Sequence, residues 1–146
     1  MDLSSNRIVE LPFELGDLAR LRILNVSHNI LAQLPPSLGD CDQLRVLNAS
    51  YNCIESIPKA VKHLERLTEL DLSFNRLKEI TPAVAECHQL IYLNISNNQL
   101  EVCTHAVACL PATRGSERPP GCTGRAESMC GARACPVPDR GSREPA

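Results

Sequence analysis

Residues 67–77 read Leu67-Thr68-Glu69-Leu70-Asp71-Leu72-Ser73-Phe74-Asn75-Arg76-Leu77, and this pattern returns every 23 residues along most of the 146-residue chain. Three full units cover residues 21–43, 44–66 and 67–89, a unit without its opening part covers 1–20, and a fifth begins at Leu90. Self-similarity at a fixed period of this length is typical of solenoids, in which each repeat stacks on its neighbours. We number the positions of each unit from 1 to 23, beginning at its first leucine.

Seven positions of each unit are apolar, and their spacing predicts the local structure. Leu70 and Leu72 alternate with polar residues, which is typical of a short strand with one buried face. The second half of a unit carries a proline (Pro12, Pro35 or Pro58) and apolar residues three or four apart, so we expect a short helical or 3-10 turn there. In the fourth unit Thr81 precedes Pro82, a shift of one residue that leaves the shape of this turn open.

Asparagine occupies position 9 of every unit, where the chain turns inward after the strand. A buried amide at such a turn must bond to the backbone groups that the turn leaves free. We therefore expect a structural ladder formed by Asn6, Asn29, Asn52, Asn75 and Asn98.

The spacing L-x-x-L-x-L-x-x-N-x-L, which residues 67–77 fit at every defined position, resembles the leucine-rich repeat over about 110 residues. The segment Leu34-Pro35-Pro36-Ser37-Leu38-Gly39 is similar to the intracellular leucine-rich repeats of the Ras-suppressor and Shoc-type scaffold families. This resemblance implies a right-handed α/β solenoid with parallel strands on its concave face and short helical or 3-10 turns on its convex face. It also implies signalling partners such as small GTPases or phosphatase complexes.

The residues between the buried leucines of each strand are expected to point onto the concave face, which solenoids use for binding. Positions 3, 5 and 8 thus supply the candidate partner-binding residues: Ile23, Asn25, His28, Val46, Asn48, Tyr51, Glu69, Asp71, Phe74, Tyr92, Asn94 and Asn97. Among them, His28, Tyr51 and Phe74 are predicted to form an aromatic ridge that anchors a partner. The alternative is that these rings only stack on one another. The serines at position 7 face the same way in this scheme and suit a structural role.

The repeat domain is predicted to span residues 1–110, because all 20 leucines lie at or before Leu110. Residues 111–146 are rich in proline, glycine, arginine and alanine, and we expect them to be disordered. A linear motif around Arg118-Pro119-Pro120 is the functional alternative to a plain tail. Since Met1 falls at position 4, no polar cap precedes the first strand; we expect a truncated form of a longer repeat protein, able to self-associate through uncapped ends.

Composition and motifs argue against several classes of function. The formal net charge of −2 does not favour nucleic acid binding, and no run approaches the 18 apolar residues of a membrane span. Phosphate-binding loops, hydrolase motifs and zinc spacings are absent from the sequence, so we predict no catalytic residue, no metal and no cofactor. The eight cysteines are interpreted as thiols, with Cys41, Cys87 and Cys103 replacing apolar core residues.

The N-terminal residues show neither a secretory signal nor a transit pattern, which predicts a cytoplasmic protein, with a nuclear location open and secretion not expected. Three hypotheses on function remain. The first is a scaffold that binds a protein on its concave face in intracellular signalling. The second is a regulatory or targeting fragment of a larger repeat-containing enzyme. The third is a truncated product without independent function.

Overall fold

A computed structural model describes residues 1–100 of the chain. These residues form one parallel sheet of four strands in the order β1-β2-β3-β4. The strands are β1 (Ile23–Asn25), β2 (Val46–Asn48), β3 (Glu69–Asp71) and β4 (Tyr92–Asn94). Each strand covers positions 3 to 5 of its repeat, and equal positions are paired, as in Leu24 with Leu47 and Leu47 with Leu70. A single bridge between Asp2 and Asn25 adds the first repeat to this register.

Short 3-10 helices line the opposite side of each repeat. They are η1 (Phe13–Asp17), η2 (Pro36–Asp40), η3 (Lys59–His63) and η4 (Pro82–Glu86), and each covers positions 16 to 20. The residue before the first three helices is Pro12, Pro35 or Pro58, with φ between −64° and −67°. Proline fixes φ near −65°, so the chain enters each helix already in the required extended conformation. The expected convex side of short 3-10 turns is confirmed.

The fourth repeat keeps this geometry despite its different sequence. Thr81 replaces proline at position 15, yet its φ of −64° and ψ of 139° match those of the three prolines. The following Pro82 disfavours the helical region for Thr81 and holds it extended. The Thr81 hydroxyl also accepts a hydrogen bond from the backbone N–H of Ala83 at 3.4 Å. The shift at Thr81-Pro82 therefore leaves the convex turn unchanged.

The core consists of the seven apolar columns, stacked from repeat to repeat between the strands and the 3-10 helices. Cys41 and Cys87 are buried at position 21, where Leu64 stands in the repeat between them. Their thiols donate to the carbonyl oxygens of Leu15 and Val61, each at 3.3 Å. Burial raises the pKa of the Cys41 thiol, and it raises the pKa of Cys87 to about 11. Both residues act as small core residues, as predicted.

The first repeat buries its apolar columns less completely than the interior repeats do. Leu18 is 38% exposed, whereas Leu64 at the same position of the third repeat is fully buried. Within residues 1–100, η1 packs against η2, whereas η3 packs against both η2 and η4, which accounts for the difference. The predictions that concern residues 101–146, including Cys103, the boundary at Leu110 and the tail, lie outside the described residues.

Candidate protein-interaction surface

The strands end at position 5, and the chain then turns sharply. At position 8 the backbone adopts positive φ in all five repeats, at Ser5 (56°), His28 (54°), Tyr51 (53°), Phe74 (53°) and Asn97 (54°). This left-handed conformation is uncommon for residues other than glycine and asparagine. The sequence-based assignment of position 8 to the strand is therefore wrong, because these residues occupy the turn that follows each strand.

The asparagine at position 9 holds this turn together. Asn52 Nδ2 donates to the carbonyl oxygens of Val26 at 3.0 Å, Ala49 at 3.2 Å and Ser50 at 3.1 Å. Its Oδ1 accepts from the backbone N–H of Leu31 at 3.0 Å. Two of these four partners belong to the preceding repeat, so the amide links neighbouring repeats as well as closing its own turn. The pattern of contacts recurs at Asn29, Asn75 and Asn98, while Asn6 bonds to two carbonyls of its own repeat.

A second hydrogen-bonded pair joins positions 5 and 7. Asn48 Oδ1 accepts from the backbone N–H of Ser50 at 3.0 Å and from its hydroxyl at 2.7 Å. Ser50 is buried, so the serines do not contribute to the open face in the way that simple strand alternation predicted. Asp2 Oδ1 accepts a hydrogen bond from the backbone N–H of Ser4 at 2.9 Å, and this bond lowers the pKa of the Asp2 carboxyl.

Three aromatic side chains form a continuous stack along the turns. The ring centroids of His28 and Tyr51 are 4.3 Å apart with an interplanar angle of 10°, and those of Tyr51 and Phe74 are 4.2 Å apart at 9°. Despite this stacking, Tyr51 is 44% exposed and Phe74 is 42% exposed. The rings thus contact each other through their faces and present their edges to solvent. We call His28, Tyr51 and Phe74 the aromatic stack.

The strands themselves present positions 3 and 5. Ile23 and Glu69 are exposed at position 3, while Val46 and Tyr92 are half-buried in the same column. Position 5 carries half-buried side chains, namely Asn25, Asn48, Asp71 and Asn94. Asn94 Nδ2 donates to Asp71 Oδ2 at 3.3 Å, which joins the last two members of that column. The sheet face therefore combines a mixed column, whose exposed members are Ile23 and Glu69, with a half-buried polar row. It runs beside the aromatic stack, and Asn97 is exposed beyond Phe74 at position 8.

A shallow depression lies where β3 and β4 begin. Its volume is about 390 Å³, and Thr68, Glu69, Ile91 and Tyr92 line it. Thr68 and Ile91 are at position 2, a column that is not among the predicted partner-binding positions 3, 5 and 8. The same column carries Arg22 and Arg45 in the earlier repeats. The sequence does indicate that position 2 faces solvent, because this position follows the leucine at position 1 and never carries leucine itself.

Residues 1–100 lack two further kinds of feature. In that part of the chain, no three His, Cys, Asp or Glu side chains come together in a way that would hold a metal ion. The same residues contain no helix of the length and apolar character needed to cross a bilayer.

Stacked parallel strands, 3-10 turns and an asparagine ladder with a period of 23 residues define a solenoid repeat protein. The sequence model of the leucine-rich repeat matches residues 19–77 and 65–114, and the chain belongs to this family. Leucine-rich repeats present extended concave surfaces, and interaction with other proteins is their general role. A comparison with curated proteins finds no match.

Solved structures of leucine-rich repeat proteins superimpose on the chain. A leucine-rich repeat protein of Leptospira interrogans is 32% identical with a TM-score of 0.71, over 75% of this chain and 28% of that one. The functional domain of InlJ from Listeria monocytogenes, which includes a cysteine ladder, is 29% identical with a TM-score of 0.57, over 70% of this chain and 21% of that one. The chain thus spans less than a third of either protein's length.

Proposed function

We propose that this chain binds a protein partner on its sheet face, with the aromatic stack as the anchor. The observation that supports the proposal is the exposure of Tyr51 and Phe74. More than two-fifths of each residue's surface is exposed, and both residues are held in a turn with positive φ. Stacking with neighbours holds the rings at fixed orientations, so a partner would not have to immobilise them. Rigid, exposed aromatic side chains are the commonest anchors of protein interfaces.

Position 8 of the last described repeat suggests a variant that separates binding from folding. Asn97 adopts the same positive φ as Tyr51 and Phe74, and asparagine tolerates this conformation better than other side chains. The double substitution Tyr51→Asn/Phe74→Asn should therefore remove the rings while it keeps the turn.

The test is affinity capture of cellular proteins with the wild-type chain and the double variant, followed by titration of the captured partner. We expect the variant to bind at least about tenfold more weakly, since aromatic anchors contribute the most to interface energies. Phe13→Asn is the matched control, because Phe13 is an exposed aromatic residue on the convex side. Equal binding by all three proteins would refute a role for the aromatic stack.

The compartment and pathway form a second part of the proposal. The similarity to Ras-suppressor and Shoc-type repeats supports a cytoplasmic scaffold in intracellular signalling. Regulation of a larger repeat-containing enzyme is the alternative. Proximity labelling by the chain expressed in cells distinguishes them: we expect several members of one signalling complex to be labelled, whereas a single enzyme that carries homologous repeats would support the alternative.

A further inference from the structure

The edge of the sheet where the strands begin changes in character along the solenoid axis. In the columns at positions 2 and 3, the first two strands present Arg22, Ile23, Arg45 and Val46. The next two strands present Thr68, Glu69, Ile91 and Tyr92, which line the depression. One half of this edge is therefore basic and aliphatic, and the other half carries a carboxylate and a concavity.

Two more arginines lie along this edge, one ahead of β1 and one ahead of β3. Arg20 and Arg66 are at position 23, one residue before the buried leucine of position 1, while Arg22 and Arg45 are one residue after it. We call these four residues the arginine rim. Arg66 Nη1 donates to Gln43 Oε1 at 2.7 Å, which orients it along the same column. All four side chains are exposed.

Within residues 1–100, no carboxylate forms an ion pair with the arginine rim. Asp42 and Glu65 at position 22 and Glu69 at position 3 lie near it in the repeat, yet none pairs with these arginines. The ion pair within residues 1–100 instead joins Lys78 to Glu55 at 3.5 Å, at positions 12 of adjacent repeats. Guanidinium groups free of carboxylate partners are well suited to bidentate recognition of carboxylates from another molecule.

We propose that this edge binds an extended acidic and apolar segment of the partner protein, a proposal that rests on the protein-binding function above. Acidic side chains of the segment pair with Arg22 and Arg45, while an apolar side chain enters the depression beside Ile91 and Tyr92. Glu69 repels an acidic residue at the depression, so the acidic end of the segment is confined to the half of the edge formed by β1 and β2.

The strand spacing sets the distance between the two ends of the segment. Adjacent strands lie about 4.8 Å apart, so the columns from Arg22 to Ile91 span roughly 14 Å, or about four residues of extended chain. Exposed aliphatic Ile23 beside the arginines favours a polypeptide over a nucleic acid, as does the formal net charge of −2.

The experiment is a selection of random dodecapeptides displayed on phage against the full 146-residue chain. We expect enriched peptides to carry acidic residues followed or preceded, about four residues away, by a large apolar residue. A fluorescein-labelled enriched peptide is then titrated by fluorescence anisotropy. Arg22→Gln/Arg45→Gln should weaken its binding about fivefold or more.

Lys59→Gln/Lys62→Gln on η3 is the matched control, because it removes the same charge from the convex side. We expect this control to bind within about twofold of wild type. Equal weakening by both double variants would overturn the proposal, because it would show only the effect of overall charge. A selection without enrichment of acidic residues would overturn it too, as would tighter binding of a labelled single-stranded DNA 20-mer than of the peptide.

Glu69→Arg tests whether the charge of Glu69 confines acidic residues of the peptide to one half of the edge. This variant should enrich peptides with acidic residues at both ends, and an unchanged selection would contradict the role assigned to Glu69. The double variant Tyr51→Asn/Phe74→Asn separates the two proposals. If Tyr51→Asn/Phe74→Asn loses the captured cellular partner while Arg22→Gln/Arg45→Gln leaves peptide binding unchanged, the proposed function stands and this inference fails. If neither double variant weakens the binding of its own ligand, both fail.

Discussion

Each repeat turns twice, and the two turns are stabilised in different ways. After the strand, a side chain supplies the hydrogen bonds, and asparagine stands at position 9 in every repeat. Before the 3-10 helix, the backbone supplies them, as when Val84 N–H donates to Thr81 O at 3.1 Å. At this second turn, position 15 accepts proline or threonine, and position 19 accepts glycine, lysine or alanine. A side chain that makes specific bonds fixes residue identity, whereas backbone bonds leave only size and backbone angles constrained.

The strongest test of this comparison is Asn52→Leu. Leucine fills similar space but leaves the Leu31 N–H of the preceding repeat without a partner. It also removes one of the two donors that bond to each of three carbonyl oxygens, those of Val26, Ala49 and Ser50. A buried unpaired N–H costs about 1–3 kcal/mol, and each further hydrogen bond that is lost costs about 0.5–1.5 kcal/mol. We therefore expect the free energy of unfolding to fall by about 3 kcal/mol or more. Urea denaturation followed by circular dichroism measures it.

Gln33→Leu is the control for this variant, since it makes the same kind of exchange at an exposed site. We expect a change within about 0.5 kcal/mol there. A similar loss for both variants would show that position 9 is not special, and the distinction between the two turns would fail.

A smaller effect is expected from Gly39→Ala, which tests the size constraint at the convex turn. A Cβ atom at Gly39 would lie 2.6 Å from the carbonyl oxygen of Ala60 and 2.8 Å from its Cβ, so η2 and η3 would have to separate. Replacing glycine by alanine usually stabilises a protein through the unfolded state. A loss of about 1–3 kcal/mol in urea denaturation would therefore report this close contact.

Lys62→Ala provides the comparison for Gly39→Ala, because Lys62 occupies the same position 19 in η3 and already carries a Cβ. We expect its unfolding free energy to change by no more than about 0.5 kcal/mol. If Gly39→Ala proved as stable as Lys62→Ala, the close approach of the two helices would not limit the convex turn.

The same distinction explains how far the sequence predicted the structure. Features set by periodicity followed from the pattern: the strand register, the 3-10 side and the burial of Cys41 and Cys87. The left-handed turn at Tyr51 did not, because aromatic residues rarely adopt positive φ and period-2 alternation suggested a longer strand. The arginine rim did not emerge either, since its members matter only once adjacent repeats bring positions 23 and 2 to one edge.

A substitution at Ser37 is expected to raise the free energy of unfolding, whereas Asn52→Leu and Gly39→Ala lower it. Its hydroxyl is buried at position 17, and within residues 1–100 it has no hydrogen-bond partner. Ala60 and Ala83 occupy this position in the next two helices, so the site accepts alanine. Ser37→Ala should raise the free energy of unfolding by about 1 kcal/mol, because a buried unpaired hydroxyl is costly. Ser56→Ala, at an exposed serine, is the control and should change little; a lower stability for Ser37→Ala would reveal a bond made by this hydroxyl in solution.

Thr81→Pro is expected to have the smallest effect and tests whether backbone angles alone define the start of the convex turn. Thr81 already has the angles of Pro12, Pro35 and Pro58. Proline would restrict the unfolded chain, which stabilises, but would remove the 3.4 Å bond from Ala83 N–H to the hydroxyl. The two contributions oppose each other, so the unfolding free energy should stay within about 0.5 kcal/mol of wild type.

Thr68→Pro is the matched control for that substitution, because the same exchange at Thr68 removes hydrogen bonds between repeats. Thr68 donates its N–H to the carbonyl oxygen of Arg45 at 2.8 Å and its hydroxyl to the same atom at 3.0 Å. Proline removes both donors from an inter-repeat contact, and we expect a loss well above 1 kcal/mol in the same urea titration. If Thr81→Pro were as costly as Thr68→Pro, the threonine hydroxyl would be fixing the convex turn, and both turns of the repeat would depend on side-chain bonds.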